Sequence, residues 1–300
     1  MSNPIIPNFF FIGAMKSGTS YLHDLLSDHP EIFMSQVKEP THFVDKNELA
    51  KISPWIARQA FWQSSKYLKL FDGAHGFPVV GESSTNYSKS PLATHVPERI
   101  HEFCANAKIL YIMRDPMNRA ISHFWHQVSH HSETRGLLQA FQENPEYLHV
   151  SNYCHQLKGY IDVFPSDSIY TLTYEELRSQ PLLALSSIYD WLGVHPDHQP
   201  SLIGTRVNQT ARTMQQARGF GMLDRLRQSY AWSKVSKIAP LALKRVGRNL
   251  ATRNVDRDTR FTAEEPAAID YLLSKLRDPT KQLADMLERD FPDWDERLFE

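Results

Sequence analysis

The chain has 300 residues, and its 33 basic and 34 acidic side chains leave a formal net charge of −1 at pH 7. A balance this close gives no global attraction for a nucleic acid or another large polyanion. No apolar run reaches the ~20 residues that a membrane-spanning helix needs, and two cysteines, Cys104 and Cys154, are too few for a disulfide-stabilised secreted protein. We therefore expect a cytoplasmic protein with reduced thiols, no nucleic-acid partner and no membrane contact. These features leave the oligomeric state open.

Apolar runs of strand length alternate with helical patterns along the chain. The runs cover residues 8–13, 78–83, 108–114 and 168–174, and the helical patterns cover 19–27, 117–130 and 182–192. Continuous apolar strands that alternate with helices are typical of a parallel sheet covered on both faces. The pattern predicts an α/β fold with three layers, in which helices flank a central, mostly parallel sheet in a P-loop-like arrangement. We expect one domain over residues 1–300.

The first strand leads into a glycine-containing loop, in the stretch FFFIGAMKSGTSYL. A strand, a loop with Gly13 and Gly18, and a helix that opens with Thr19 and Ser20 point backbone N–H groups at an anion. In a nucleotide-hydrolysing P-loop, the lysine follows the second glycine and the next hydroxyl holds Mg²⁺. Here Lys16 lies inside the loop instead. The loop favours a shorter, metal-free anion over a magnesium triphosphate; a strand, turn and helix with an incidental lysine is the structural alternative.

A second basic site is predicted beyond the strand at 108–114. Arg114 ends that strand, at the edge of the sheet where ligands of open α/β folds bind. Ser122 follows eight residues later, just over two helical turns away, and can face the same crevice. A guanidinium fork and a hydroxyl suit a second, separate phosphate. Taken alone, Arg114 would more simply pair with Asp115, but the two motifs together favour two anion sites.

Five blocks of sequence carry a family resemblance. They are KSGTS (16–20), KEPTHF (38–43), GESSTNY (81–87), RDPMNRAISHFWH (114–126) and TLTYEELRSQP (171–181). In this order and spacing they resemble the sulfotransferases that use 3′-phosphoadenosine 5′-phosphosulfate (PAPS), and most closely the branch with the heparan sulfate O- and N-sulfotransferases and many bacterial relatives. The resemblance implies PAPS as donor, 3′,5′-adenosine bisphosphate (PAP) as product, and no metal.

The resemblance also implies roles for individual residues. It assigns the 3′-phosphate to Arg114 and Ser122. Lys16 would reach the bridging oxygen of the phosphosulfate, where charge develops as sulfate leaves. The 5′-phosphosulfate loop as a whole would consist of Lys16, Ser17, Gly18, Thr19 and Ser20.

Three side chains are candidates for the base that takes the proton of the acceptor. Glu39 matches the position at which the heparan sulfate branch carries its catalytic glutamate. His42 lies three residues on, and an imidazole suits proton transfer at neutral pH. Glu82, near the end of the strand at 78–83, is the third, although it also reads as a structural carboxylate. The heparan enzymes often carry a lysine after that glutamate, whereas this chain has Ser83, which argues against an acidic glycan as acceptor.

Residues 206–260 form a basic segment, with thirteen Lys or Arg against three acidic residues. We expect a partly helical insertion over the active site. In one interpretation Arg212 or Arg218 folds over the 3′-phosphate, and in the other the segment is a solvated pair of amphipathic helices.

The acceptor is open between a small molecule, a lipid and a glycan. Two other functions also stay open: a kinase-like phosphotransferase, and a non-catalytic module that binds a nucleotide or a membrane surface.

Overall fold

The structure, a computed structural model, describes residues 4–130, 132–204, 213–217, 252–256 and 264–300. Contacts within the chain divide it into two units. The first comprises residues 1–120, 146–207 and 273–300, and the second comprises 121–145 and 208–272. Arg212 and Arg218 lie outside the described residues, as does most of the basic segment, so their expected roles stay predictions. The single domain over the whole chain also stays a prediction.

A five-stranded parallel sheet forms the centre of the first unit. Its strands are β1 (Phe9–Gly13), β2 (Ile32–Met34), β3 (Val79–Ser83), β4 (Lys108–Met113) and β5 (Ile169–Thr173), in the order β2-β3-β1-β4-β5. All neighbouring strands are parallel. The predicted α/β fold is thus confirmed, and four strands match the predicted runs closely. β2 was not predicted, because three residues are too few to show a pattern.

Helices of the first unit flank this sheet and connect its strands. Over both units, the described helices are α1 (Thr19–Ser27), α2 (Lys46–Ile52), α3 (Pro54–Ala57), α4 (Ser64–Leu68), α5 (Val96–Phe103), α6 (Pro116–Ser129), α7 (Leu137–Glu143), α8 (Glu146–His149), α9 (Tyr153–Ile161), α10 (Tyr174–Ser179), α11 (Pro181–Leu192) and α12 (Glu265–Leu287). The three predicted helices are confirmed as α1, α6 and α11. None of the helices in the described ranges is long and apolar enough to cross a membrane.

β1 lies in the middle of the sheet. Its residues Phe9 to Ile12 are at most 1% exposed, as the apolar run predicts. The chain fills β2 and β3 on one side of β1, then β4 and β5 on the other. Because parallel strands end at the same edge, the loops after β1, β3 and β4 open on one crevice, where ligands of such sheets bind.

In the second unit, the described parts of the basic segment pair as an antiparallel ribbon. β6 (Thr213–Ala217) pairs with β7 (Thr252–Asp256), and Thr213 lies opposite Asp256. In the same unit, the Leu137 backbone N–H at the start of α7 donates to the Glu264 carboxylate at 3.0 Å. Glu264 therefore stabilises the N-terminus of α7 by accepting from one of its unsatisfied donors.

Candidate active site

The loop between β1 and α1 turns at three residues with positive φ. Gly13 has a φ of 144°, Lys16 of 72° and Gly18 of 90°. Glycine takes such values without steric cost, whereas a lysine in the left-handed region is strained and must be held there by its surroundings. Gly18 occupies the N-cap position of α1 and has no side chain that could cap the first turn. The first N–H groups and the dipole of α1 are thus directed at the loop, as anion binding requires.

Ser17 indicates that the loop is built for a ligand. Its side chain is fully buried, and its Oγ makes no hydrogen bond in the described part of the chain. The Tyr153 hydroxyl lies nearby, but its proton is donated to the Arg114 carbonyl at 2.8 Å and its oxygen accepts the Arg114 backbone N–H at 3.3 Å. An unpaired buried hydroxyl costs roughly 1–3 kcal/mol. A phosphate oxygen that accepts from Ser17 would remove this penalty.

Tyr174 connects the loop to Arg114. A Cβ atom on Gly18 would come within 2.9 Å of Cδ2 of the Tyr174 ring, so the ring and the loop backbone are in close contact. The Arg114 guanidinium lies over the same ring, with Cζ 5.0 Å from the ring centre, which is a cation–π contact. One aromatic side chain therefore positions both predicted anion sites.

The alternative pairing of Arg114 with Asp115 is not seen. The Asp115 carboxylate accepts the backbone N–H groups of Asn118 at 2.8 Å and Asp295 at 2.9 Å, and so stabilises the start of α6. Among the described residues, Arg114 forms no ion pair. Ser122 lies half-buried on α6, in the part of that helix that belongs to the second unit. Its expected place beside Arg114 stays a prediction.

Three cationic side chains, Arg114, Arg119 and Lys38, act on a fourth, Lys16, at this loop. Burial lowers the pKa of Lys16, and the charges of the other three lower it further. A bound anion with several charges would relieve this repulsion. Arg119 was not predicted as a site residue. It is fully buried and donates to Ser151 Oγ at 2.6 Å, so it also fixes the first turn of α6.

Lys38 was also not predicted. Its ammonium donates to Ser20 Oγ at 2.6 Å and lies 3.4 Å from Thr19 Oγ1, both in the first turn of α1. These are two of the hydroxyls expected to contact the 5′-phosphosulfate. A sequence signal was present, since Lys38 directly precedes Glu39, but a lysine in a loop segment reads most simply as a solvated side chain.

Glu39 lies beside the carboxyl end of β3. Its backbone N–H donates to the Ser83 carbonyl at 2.8 Å, and its carboxylate accepts from the Thr85 N–H and hydroxyl at 2.8 and 2.9 Å. Its φ of 61° is a left-handed conformation that non-glycine residues adopt mainly at strained positions. Burial raises the pKa of Glu39, and Lys38 and Thr85 oppose this rise. The carboxylate is therefore a stronger base than a free glutamate.

His42 packs within an aromatic cluster. Its ring stacks on Tyr67 with the centres 4.1 Å apart, and Phe43 contacts it edge-on at 4.9 Å. The Nδ1–H donates to the Phe61 carbonyl, which leaves Nε2 as the unprotonated nitrogen of a neutral ring. Burial lowers the pKa of His42, so the imidazole binds a proton less readily than a free histidine.

Glu82 is a fully buried carboxylate on β3, and both of its oxygens accept hydrogen bonds. Oε1 accepts the Tyr67 and Tyr87 hydroxyls at 2.8 and 2.7 Å, and Oε2 accepts the Ser84 hydroxyl at 2.7 Å. Ser84 Oγ in turn accepts the Thr41 backbone N–H at 3.1 Å. Burial raises the pKa of Glu82 to about 7 despite these donors. The arrangement supports the structural interpretation, in which Glu82 anchors the KEPTHF segment.

The described residues therefore bring most of the predicted site together in the first unit. The loop and Arg114 meet through Tyr174, and Glu39 is tied to the loop by its neighbour Lys38. Within the described ranges, no three His, Cys, Asp or Glu side chains lie close enough to hold a metal ion.

Comparison with known proteins identifies the family. The family model "Sulfotransferase domain" matches residues 7–220. The human bifunctional heparan sulfate N-deacetylase/N-sulfotransferase 2 is 27% identical over 216 residues, which cover 64% of this chain and 22% of the relative. The mouse heparan sulfate glucosamine 3-O-sulfotransferase 5 is 24% identical over 204 residues, which cover 64% of this chain and 54% of the relative. The chain thus spans about a fifth and about half of the length of these relatives.

A solved structure shares the fold. The crystal structure of a sulfotransferase from Alicyclobacillus acidocaldarius matches with a TM-score of 0.68 at 23% identity, over 97% of this chain and 99% of that one. At this identity the likeness supports the fold alone. The family model, by contrast, matches most of the sequence and includes the loop, Glu39 and Arg114. The chain therefore belongs to the sulfotransferase domain family.

Proposed function

We propose that this protein transfers the sulfuryl group of PAPS to a hydroxyl or an amine of an acceptor. The observation that carries the proposal is the positive charge gathered at the loop, where burial and three further cations lower the pKa of Lys16. Ser17, next to Lys16, is buried with an unpaired hydroxyl. Buried cations and donors of this kind are stabilised when a multiply charged anion binds them. PAPS carries negative charge at both its 5′ and its 3′ end.

In this proposal the donor binds at two places. Its 5′-phosphosulfate accepts hydrogen bonds from the N-terminus of α1 and from the loop residues Lys16, Ser17, Gly18, Thr19 and Ser20. Arg114 binds the 3′-phosphate while its guanidinium packs against the Tyr174 ring. Ser122 is the second donor to that phosphate. Arg212 or Arg218 would cover the 3′-phosphate, in the first of the two interpretations of the basic segment.

The reaction is an in-line displacement at sulfur. The acceptor oxygen or nitrogen forms a bond to sulfur while the bond from sulfur to the 5′-phosphate oxygen breaks. That oxygen keeps the bonding pair and becomes part of PAP, and Lys16 with the N-terminus of α1 stabilises its charge. Positioning and charge neutralisation account for such a step, as they do in phosphoryl transfer, so the proposal includes no metal.

We assign the base to Glu39. Burial raises its pKa and so makes it a stronger proton acceptor than a free glutamate. Its carboxylate accepts from the Thr85 N–H and hydroxyl and, at 3.5 Å, from the Asn86 side-chain amide, but from no tyrosine in the described ranges. Glu82 already accepts three hydroxyls and is fully buried. His42 is stacked on Tyr67, and burial lowers its pKa. These contacts favour structural roles for Glu82 and His42 and leave Glu39 as the base of the proposed reaction.

The test uses radiolabelled PAPS and a panel of acceptors from the three open classes: small alcohols, phenols and amines; lipids; and glycans. We expect transfer that persists in EDTA, and tighter binding of PAP than of ATP. Loss of transfer in EDTA, with ATP bound more tightly in MgCl₂, would refute the proposal in favour of a kinase-like enzyme. PAP binding without transfer to any acceptor would favour the non-catalytic module. A cytoplasmic location belongs to the proposal and is tested by cell fractionation.

A further inference from the structure

Lys38 is bonded in an unusual way for a partly buried lysine. Its ammonium donates to Ser20 Oγ at 2.6 Å and lies 3.4 Å from Thr19 Oγ1, so it is bound by neutral hydroxyls. Among the described residues no carboxylate forms an ion pair with it. Glu39 and Asp24 attract its charge from a greater distance, yet burial lowers its pKa. A lysine that loses hydration and gains no close counter-charge is destabilised unless an anion binds there.

The two hydroxyls also locate the ammonium relative to the donor. Thr19 and Ser20 form the first turn of α1, where backbone N–H groups and the helix dipole favour an anion. An ammonium bonded to these hydroxyls lies at the mouth of the same anion site. The charge of Lys38 also lowers the pKa of Lys16, so the two lysines act on a shared region.

Lys38 and Lys16 reach the anion site from different segments of the chain. Lys16 belongs to the loop that holds the 5′-phosphate, whereas Lys38 belongs to the segment of Glu39, which is fixed to the end of β3 by the Ser83 carbonyl. In the proposed reaction Glu39 takes the proton of the acceptor. A side chain that shares this segment and reaches the first turn of α1 therefore lies between the base and the phosphate loop.

We propose that Lys38 binds the non-bridging oxygens of the transferring sulfuryl group, while Lys16 binds the bridging oxygen. This inference rests on the proposed function. Lys38 exchanges no proton in the step. The bond between sulfur and the 5′-phosphate oxygen breaks, the bond from the acceptor to sulfur forms, the proton goes to Glu39, and the Lys38 ammonium stabilises the charge on the sulfuryl oxygens throughout. The segment 38–39 thus supplies both a ligand of the sulfuryl group and the base.

The test compares two ligands that differ only in the sulfuryl group. Affinities for PAPS and for PAP are measured by calorimetry without acceptor, for wild type and for Lys38→Met. Loss of a charge-assisted hydrogen bond should weaken PAPS binding roughly 10-fold or more, while PAP binding should change less than about threefold. Lys38→Arg, which keeps the charge, should restore part of the preference for PAPS. Lys51→Met, on the exposed face of α2, is the matched control and should change neither affinity.

The results of this comparison support or overturn the proposed contact between Lys38 and the sulfuryl group. Equal losses for PAPS and PAP in Lys38→Met would overturn the sulfuryl contact, since Lys38 would then act on the phosphate or on the fold. An unchanged preference for PAPS would overturn it as well. If Lys38→Met does not fold, Lys38→Gln is measured in the same way, because its amide can still hydrogen-bond to Ser20. If the wild-type protein binds neither PAPS nor PAP, the proposed function itself is refuted.

Discussion

Replacing Glu82 by glutamine should change how the stability of the protein depends on pH. The substitution keeps the shape of the side chain and removes its charge. The amide oxygen can still accept from Tyr67 and Tyr87, and the NH₂ group can donate to Ser84 Oγ, which occupies the other side of the carboxylate. The glutamine therefore keeps a hydrogen bond to each neighbour, and the Ser84 proton loses its acceptor. This loss is the same at every pH, so the pH-dependent difference between the two proteins reports the ionisation of one buried group.

The size of the effect follows from the pKa of Glu82. Burial raises this pKa from its ordinary value of 4.5 to about 7 in the folded protein. The folded state thus binds the proton more tightly than the unfolded state. The contribution of Glu82 to stability is complete below pH 4.5 and is lost as the pH rises through 7. At 1.36 kcal/mol per pH unit, this interval corresponds to about 3 kcal/mol.

Urea unfolding at several pH values between 4.5 and 8 measures the effect. Between pH 4.5 and 7, the free energy of unfolding of wild type should fall by about 3 kcal/mol relative to that of Glu82→Gln, and groups common to both proteins cancel in this difference. Tyr87→Phe removes one donor to Oε1, so it should extend the fall to higher pH. Parallel curves for wild type and Glu82→Gln would refute the reasoning, because they would mean that the three hydroxyls keep Glu82 ionised throughout.

Two further predictions concern the active site. Glu39→Gln should leave PAP affinity within about threefold of wild type and lower turnover by about 100-fold or more, as expected for loss of a general base; turnover near that of wild type would transfer the role to His42. Gly18→Ala should cost about 1–2 kcal/mol in unfolding free energy, because alanine is strained at a φ of 90°, and should also weaken PAP binding, because its Cβ displaces the ring beneath Arg114. Gly76→Ala is its control: φ is 88° and no atom lies within 4 Å of the added Cβ, so an equal loss of PAP affinity there would show that backbone strain alone is responsible.

The sequence by itself determined the parallel sheet and the glycine-containing loop that follows β1. Runs such as FFFI and KILYIM are buried on both faces of a parallel sheet, so their apolar character is continuous and visible without a structure. The position of Lys16 also distinguished this loop from a nucleotide-hydrolysing P-loop. The apolar strands and the position of the lysine are both visible in the sequence because they depend on residues that are neighbours in the chain. β2 was not predicted, because a three-residue strand is defined by its pairing with β3 and not by a sequence pattern of its own.

The tertiary structure alone decided which side chains share an environment. In the sequence, Glu82 is both a candidate base and a candidate structural carboxylate. The hydrogen bond from Tyr67, 15 positions away, favours the structural role. Lys38 and Ser20 are 18 positions apart, and their hydrogen bond brings a second lysine to the loop, whereas the sequence places this lysine only beside Glu39. Tyr174 lies between Gly18 and Arg114 because β5 ends beside β4. Charge, burial and hydrogen bonding act through space, so the ionisation and the role of each of these groups depend on contacts that a sequence does not contain.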